Sequence, residues 1–162
     1  LARRPGFTSA RGFETYFLAA AKTEDAARVA RMENEAVRFE QQPADGPVQG
    51  IDFILKDLQL NEHLRESARL AELVQSHLAE VHSGPDKGVK QAGLAVLTTA
   101  RRPAVLVELG FSTNKEDAAL MTSPRSQRNL AASVADAIVS YLLEYERRVG
   151  SAVSADQSSG TP

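Results

Sequence analysis

Residues 103–111 combine a short apolar run with one carboxylate, in the sequence PAVLVELGF. Four apolar residues after Pro103 are typical of a buried strand, which would end at Glu108. A carboxylate there is costly to remove from water unless it is paired or lies near a metal ion. Because ligands of α/β proteins gather at the carboxyl ends of strands, Glu108 is a candidate catalytic acid. The alternative is a strand-end glutamate that is bonded to a neighbouring helix.

The composition restricts the classes of partner. The chain has 162 residues and a formal net charge of -2, which gives no electrostatic footprint for nucleic acid. It has no cysteine, so disulfides and thiolate metal sites are excluded. No apolar run approaches the roughly 18 residues that a membrane span needs, and the start of the chain lacks a signal-peptide pattern. We therefore predict no nucleic-acid partner and no transmembrane segment.

The first half of the sequence predicts one strand and several helices. Residues 12–18 alternate at period 2, so we expect a strand with Glu14 and Tyr16 on one face. Thr23 is the predicted N-cap of a helix. Residues 41–50 are rich in proline and glycine and predict a loop, followed by a short helix over residues 51–58. Asn61 would then cap a longer helix that stops at residues 83–85. The apolar stripes of the two longer helices are Val29, Met32, Ala36 and Phe39, then Leu64, Ala68, Ala71, Val74, Leu78 and Val81.

The second half predicts two further strands and two helices. Residues 88–99 become strand-like near their end, and a turn at Arg101 and Arg102 leads to the strand that ends at Glu108. Asn114 can cap a short helix, and Pro124 can start the last one. Residues 150–162 are small and polar and predict a disordered tail. The fold class is therefore α/β, with an incomplete twisted sheet of about three strands flanked by helices. The predicted buried face of the last helix is Leu130, Val134, Ile138, Tyr141 and Tyr145.

Other polar residues give weaker signals. His63, His77 and His82 match no metal-binding spacing, so we expect exposed helix side chains in preference to metal ligands. The basic residues near the last two strands would be solvated turn charges, with contact to an anionic substrate as the alternative. These residues are Lys87, Lys90, Arg101 and Arg102.

Five ordered segments resemble the zinc-dependent N-acetylmuramoyl-L-alanine amidases, the amidase type 3 family. They are RGFETYFL at residues 11–18, ARMEN at 30–34, ILKDL at 54–58 with ESARLA at 66–71, GVKQAGLAVL at 88–97 and PAVLVELGFSTN at 103–114. The resemblance implies the C-terminal portion of an amidase catalytic domain over residues 1–149, before the tail. It also implies hydrolysis of the amide bond between muramic acid and L-alanine of the peptidoglycan stem peptide. Glu108 matches the family's catalytic acid, beside a zinc-bound water.

The family's zinc ligands are two histidines and a glutamate upstream of the segment that matches residues 11–18. Only ten residues precede Arg11, and none of them is histidine. We therefore expect no metal ligands in this chain, and neither zinc binding nor turnover by the chain as given. A truncated domain, a first half supplied elsewhere and a zinc-less relative are the three accounts of this difference.

The resemblance also implies a cellular location, and two alternative functions stay open. Peptidoglycan would be the partner, in the periplasm or the extracellular cell envelope, and the oligomeric state stays open. One competitor is a non-catalytic amidase-like module that binds peptidoglycan or a partner protein. The other is an unrelated α/β interaction protein.

Overall fold

The computed structural model describes residues 10–37 and 51–158, which form helices and one mixed sheet. The class is α/β, as predicted. In chain order the elements are β1 (Phe13–Leu18), α1 (Glu24–Val37), α2 (Ile51–Val81), β2 (Asp86–Ala92), α3 (Ala95–Thr98), β3 (Val105–Glu108), α4 (Lys115–Thr122) and α5 (Pro124–Ser158).

The sheet has three strands in the order β2-β1-β3. β1 runs parallel to β2 and antiparallel to β3, and Glu14 is the direct partner of Glu108. Side chains alternate between the two faces of β1. Thr15 faces α2, where its hydroxyl donates to Gln75 Oε1 at 2.8 Å. Glu14 and Tyr16 therefore lie on the opposite face, as the alternation predicts.

Two apolar clusters cover the two faces of the sheet. Phe13 packs with residues of α2 and α5 on one face. Tyr16 packs with residues of α1 and α3 on the other. The central strand is thus enclosed on both sides, which explains why residues 12–16 are all buried. No helix in the described ranges has an apolar stretch long enough to span a membrane.

Several local predictions are confirmed. β1 and β3 occupy the predicted segments, and β3 ends at Glu108. Thr23 Oγ1 accepts from Ala26 N at 3.1 Å at the start of α1. Asn114 Oδ1 accepts from the backbone N–H groups of Glu116 and Asp117, so it caps α4. α5 begins at Pro124.

Two element boundaries were predicted wrongly. Asn61 does not begin a new helix, because α2 is continuous from Ile51 to Val81. No proline or glycine interrupts that stretch, and one asparagine in a helix interior costs little. The strand expected near the end of residues 88–99 lies earlier, at Asp86–Ala92. Leu94 and Leu97 form the short turn α3 instead, since their i,i+3 spacing lets both side chains be buried.

Parts of the predicted helix faces were also wrong. Val81 is 45% exposed at the end of α2, whereas Val74 and Leu78 are buried. In α5, Ile138 is 42% and Tyr145 37% exposed. Leu130, Ala137 and Tyr141 form the buried face of α5, and Ile138 lies about 100° around the helix from Ala137. Val81 and Tyr145 each lie about one turn beyond the buried residues Leu78 and Tyr141.

Some predictions fall outside the described residues. These are the position of Phe39 and the loop over residues 41–50. Of the residues for which a disordered tail was predicted, 150–158 are described as the end of α5, and 159–162 are not described.

Candidate active site

Glu108 lies at the end of β3 and is 3% exposed. It pairs with Glu14 of β1 in an antiparallel register. Directly opposed residues of an antiparallel pair project to the same face, with Cβ atoms roughly 5 Å apart. The fold therefore places two buried carboxylates side by side, and we call Glu14 and Glu108 the carboxylate pair.

Two lysines of β2 compensate the charge of Glu14, which is fully buried. Lys90 Nζ lies 2.5 Å and Lys87 Nζ 3.3 Å from Glu14 Oε2. The hydroxyl of Tyr16 donates to Glu14 Oε1 at 2.9 Å. Lys90 also contacts Asp25 of α1 at 3.2 Å, which extends this cluster to the neighbouring helix. The cluster provides the hydrogen bonds and cationic partners that offset the cost of burying a carboxylate.

The prediction for the basic residues was wrong at two positions. Lys87 and Lys90 are not solvated turn charges, because their side chains are only 22% and 20% exposed and pair with Glu14. The buried carboxylate draws both ammonium groups towards the sheet. Arg101 and Arg102 are exposed, as expected.

Asp117 ties the start of β1 to the segment after β3. It is 1% exposed, and its Oδ2 accepts from Gly12 N at 3.0 Å and from Phe111 N at 2.9 Å. Arg11 Nε lies 3.6 Å from the other carboxylate oxygen. A single side chain thus holds two segments that flank the carboxylate pair.

His82 makes a similar link between the segments before β2 and after β3. Gly84 N donates to its Nδ1 at 2.9 Å, so the ring proton lies on Nε2, which donates to Leu109 O at 2.9 Å. The expectation of exposed histidines is wrong for His82, which is 7% exposed and packs on Phe13. Its two backbone partners explain why a polar ring is buried here.

Only glycine fits at position 12, where the backbone before β1 approaches the backbone before β2. Its φ is +102°, and an added Cβ would lie 2.0 Å from the carbonyl oxygen of Pro85. Phe13 N donates to the same oxygen at 3.2 Å. The close backbone approach fixes β1 against the start of β2.

The described residues do not form a metal site. In residues 10–37 and 51–158 no three histidine, cysteine, aspartate or glutamate side chains converge in a way that could hold a metal ion. His63 and His77 are partly exposed on α2.

The sequence predicted the position of Glu108 at the end of a strand, but it gave no role to Glu14 or Asp117. A signal for Glu14 was present, since the alternation of residues 12–18 put an acid on the same face as Tyr16. Asp117 was visible as an acidic residue in the first turn of α4, a position usually explained by the helix dipole alone. Its backbone partner Gly12 lies 105 residues away, beyond the reach of local patterns.

Comparison with known proteins gives a consistent result. The sequence profile of the N-acetylmuramoyl-L-alanine amidase family matches residues 6–140. N-acetylmuramoyl-L-alanine amidase AmiC of Neisseria meningitidis serogroup B is 30% identical over 136 residues, which are 83% of this chain and 32% of that protein. The uncharacterized protein YqiI of Bacillus subtilis is 40% identical over 75 residues, 46% of this chain and 36% of YqiI.

A solved structure agrees in fold. The crystal structure of an N-acetylmuramoyl-L-alanine amidase from Clostridium difficile 630 matches with a TM-score of 0.57 and 21% identity, over 88% of this chain and 54% of that one. The chain thus spans about a third of these two curated relatives and about half of the solved structure.

Proposed function

Because this chain belongs to the N-acetylmuramoyl-L-alanine amidase family, we propose that the protein is a peptidoglycan hydrolase. The bond cleaved joins N-acetylmuramic acid to L-alanine of the stem peptide. The observation that carries the proposal is Glu108, a buried carboxylate at a strand end beside a charge-compensated partner. Peptidoglycan is the proposed substrate, and the periplasm or the extracellular cell envelope is the proposed location.

We assign the proton transfers to Glu108. Amide hydrolysis requires a group that takes a proton from the attacking water and returns one to the leaving nitrogen. The carboxylate of Glu108 accepts the water proton as the new C–O bond forms. The resulting carboxylic acid then protonates the nitrogen of L-alanine as the C–N bond breaks, which leaves a lactyl carboxylic acid and a free amine.

Glu14 is less suited to this role. Its oxygens are bonded to Tyr16, Lys87 and Lys90, so a proton transfer there would disrupt a buried ion cluster. Glu108 lies at the last position of β3, next to the segment that leaves the sheet. We therefore propose a catalytic role for Glu108 and a structural role for Glu14.

The family resemblance implies zinc, and the described residues do not fit a zinc site. No group of three ligand side chains converges among them, and His82 uses both ring nitrogens in backbone hydrogen bonds. We propose that any zinc ligands come from outside residues 10–37 and 51–158.

Substitution of Glu108 tests the proposal. Glu108→Gln keeps the shape of the side chain but removes its ability to accept a proton. In the natural polypeptide we expect release of stem peptides from purified muropeptides to fall by about 100-fold or more, the usual contribution of a general acid–base group. Glu146→Gln on α5 is the matched control, because Glu146 is exposed and far along the chain from the carboxylate pair. Activity should be unchanged in that variant.

Two other results would contradict the proposed catalytic role of Glu108. Undiminished hydrolysis by Glu108→Gln would refute the role of Glu108. If the wild type and Glu108→Gln both bind peptidoglycan equally and neither cleaves it, the protein is an amidase-like binding module.

A further inference from the structure

We propose that Asp117 is a positioning residue that holds Glu108 against Glu14. The inference rests on the proposed function, in which Glu108 transfers protons. Asp117 forms hydrogen bonds to backbone groups and not to the carboxylate of Glu108, so it would not take part in the proton transfers itself. Its effect on the reaction would be exerted through the placement of the two strand ends.

One carboxylate oxygen of Asp117 links the residue before β1 to the segment that follows β3. Asp117 Oδ2 accepts from Gly12 N, two residues before Glu14, at 3.0 Å. The same oxygen accepts from Phe111 N, three residues after Glu108, at 2.9 Å. A shift of β3 relative to the start of β1 would lengthen one of these bonds. The bonds therefore restrain the carboxylate pair at the edge where β3 ends.

Asp117 is itself fixed by its own helix and by close packing. Its backbone N–H donates to Asn114 Oδ1 at 3.2 Å in the cap of α4. A Cβ at Gly110 would lie 3.2 Å from Asp117 Cβ, so the segment after Glu108 passes directly over this side chain. Arg11 Nε lies 3.6 Å from Asp117 Oδ1, so this side chain also has a cationic neighbour. Hydrogen bonds to a carboxylate are roughly twice as strong as neutral ones, which makes this an effective restraint.

Loss of the restraint should affect turnover more than substrate binding. A misplacement of about 1 Å can cost about 100-fold in rate when reacting groups must be aligned. In the natural polypeptide we expect Asp117→Ala to lower kcat by about 10-fold with KM within about twofold of wild type. Asp117→Asn keeps one oxygen that can accept both backbone bonds, so we expect a loss of only about threefold. That graded series also keeps the test valid if the alanine variant does not fold.

A matched control separates positioning from general destabilisation. Ala137 is a buried residue of α5, a helix that packs on α2 and α4. Ala137→Gly should lower the melting temperature, because glycine is unfavourable in a helix interior, but leave kcat unchanged. Equal kcat losses in Ala137→Gly and Asp117→Ala at matched stability would overturn the inference, as would full activity of both Asp117 variants.

A second measurement does not depend on activity. Backbone NMR of the same variants should show the amide resonances of Glu14 and Glu108 displaced in Asp117→Ala and Asp117→Asn, and unchanged in Ala137→Gly. If the wild type has no amidase activity, the proposed function fails while this measurement still tests the restraint. Unmoved Glu14 and Glu108 resonances in both Asp117 variants would refute it.

Discussion

At the scale of single residues, the stability of the protein near the site depends on the ion cluster around Glu14. A fully buried carboxylate is stable only while its charge is compensated. Lys90 is its closest cation, at 2.5 Å, and Lys87 is farther away, at 3.3 Å. Removal of Lys90 leaves the carboxylate with one weaker cationic partner.

Lys90→Met should therefore destabilise the protein by about 3 kcal/mol, within the range for breaking a buried ion pair. Urea unfolding measures this loss. The double variant Glu14→Gln, Lys90→Met should lose less than the sum of the single variants, because the uncompensated charge is gone. Lys22→Met is the control, since Lys22 is exposed, and it should unfold as the wild type does. Strict additivity of the two substitutions would show that the pair does not interact.

Local patterns predicted Glu108 well and the lysines badly, for one physical reason. The position and burial of Glu108 follow from the apolar run that precedes it. The environment of Lys90 depends on Glu14, 76 residues away in sequence, so no local pattern reveals it. His82 was misjudged in the same way, because its partner Leu109 lies 27 residues away.

At the scale of elements, α2 and α5 are joined by ion pairs at the rim of their contact. Arg69 of α2 donates two hydrogen bonds to Glu144 of α5, each at 2.9 Å. Glu66 accepts from the hydroxyl of Tyr141 at 2.9 Å. Burial and this bond to Glu66 raise the pKa of Tyr141, and the bonds from Arg69 lower the pKa of Glu144.

The lowered pKa of Glu144 predicts an acid-sensitive contribution to stability. A carboxyl group whose folded pKa is depressed stabilises the protein above its unfolded pKa, about 4.3 for glutamate. The stabilisation is lost as the pH falls through the lower folded value. Glu144→Gln should be less stable than wild type at pH 7, and the difference should vanish in strong acid. Urea unfolding over a pH series measures it, with Glu146→Gln as a control that follows the wild type. A difference that persists undiminished at the lowest pH would contradict the assignment.

Helix starts were predicted correctly where strong capping residues occur. Asn114 and Pro124 marked the starts of α4 and α5 correctly. Asn61 resembled a cap but lies inside α2, because the packing of α2 on the sheet and on α5 outweighs a weak local preference. The turn α3 was taken for a strand, since short apolar runs do not distinguish the two by periodicity.

At the scale of the whole molecule, the α/β class was predictable and the strand directions were not. Alternating strand and helix patterns indicate the class directly. The antiparallel direction of β3 depends on the short connection over residues 93–104, which leads from β2 past β1 without a long crossover helix. This direction brings the end of β3 next to the start of β1, and it alone makes Glu14 the neighbour of Glu108.

The same arrangement leads to a prediction about zinc. A hydrolytic zinc site needs about three protein ligands and an open position for water. Among the described residues, Glu14 is engaged by lysines, His82 by backbone groups, and no three ligand side chains converge. Glu108 therefore has no neighbouring ligand set in this part of the chain.

We expect the 162-residue chain, prepared by itself, to bind no stoichiometric zinc and to release no stem peptides from purified muropeptides. Calorimetric zinc titration and muropeptide digestion measure the two properties. Glu108→Gln should behave identically to the wild type in both assays, because the acid–base group has no activated water to act on.

One zinc ion per chain together with peptide release that Glu108→Gln abolishes would show that residues outside the described ranges complete the site. That outcome would locate the missing ligands within residues 1–9, 38–50 or 159–162, none of which contains a histidine. The site would then require carboxylates in place of the usual imidazoles, a ligand set poorly matched to zinc's preference for nitrogen and sulfur.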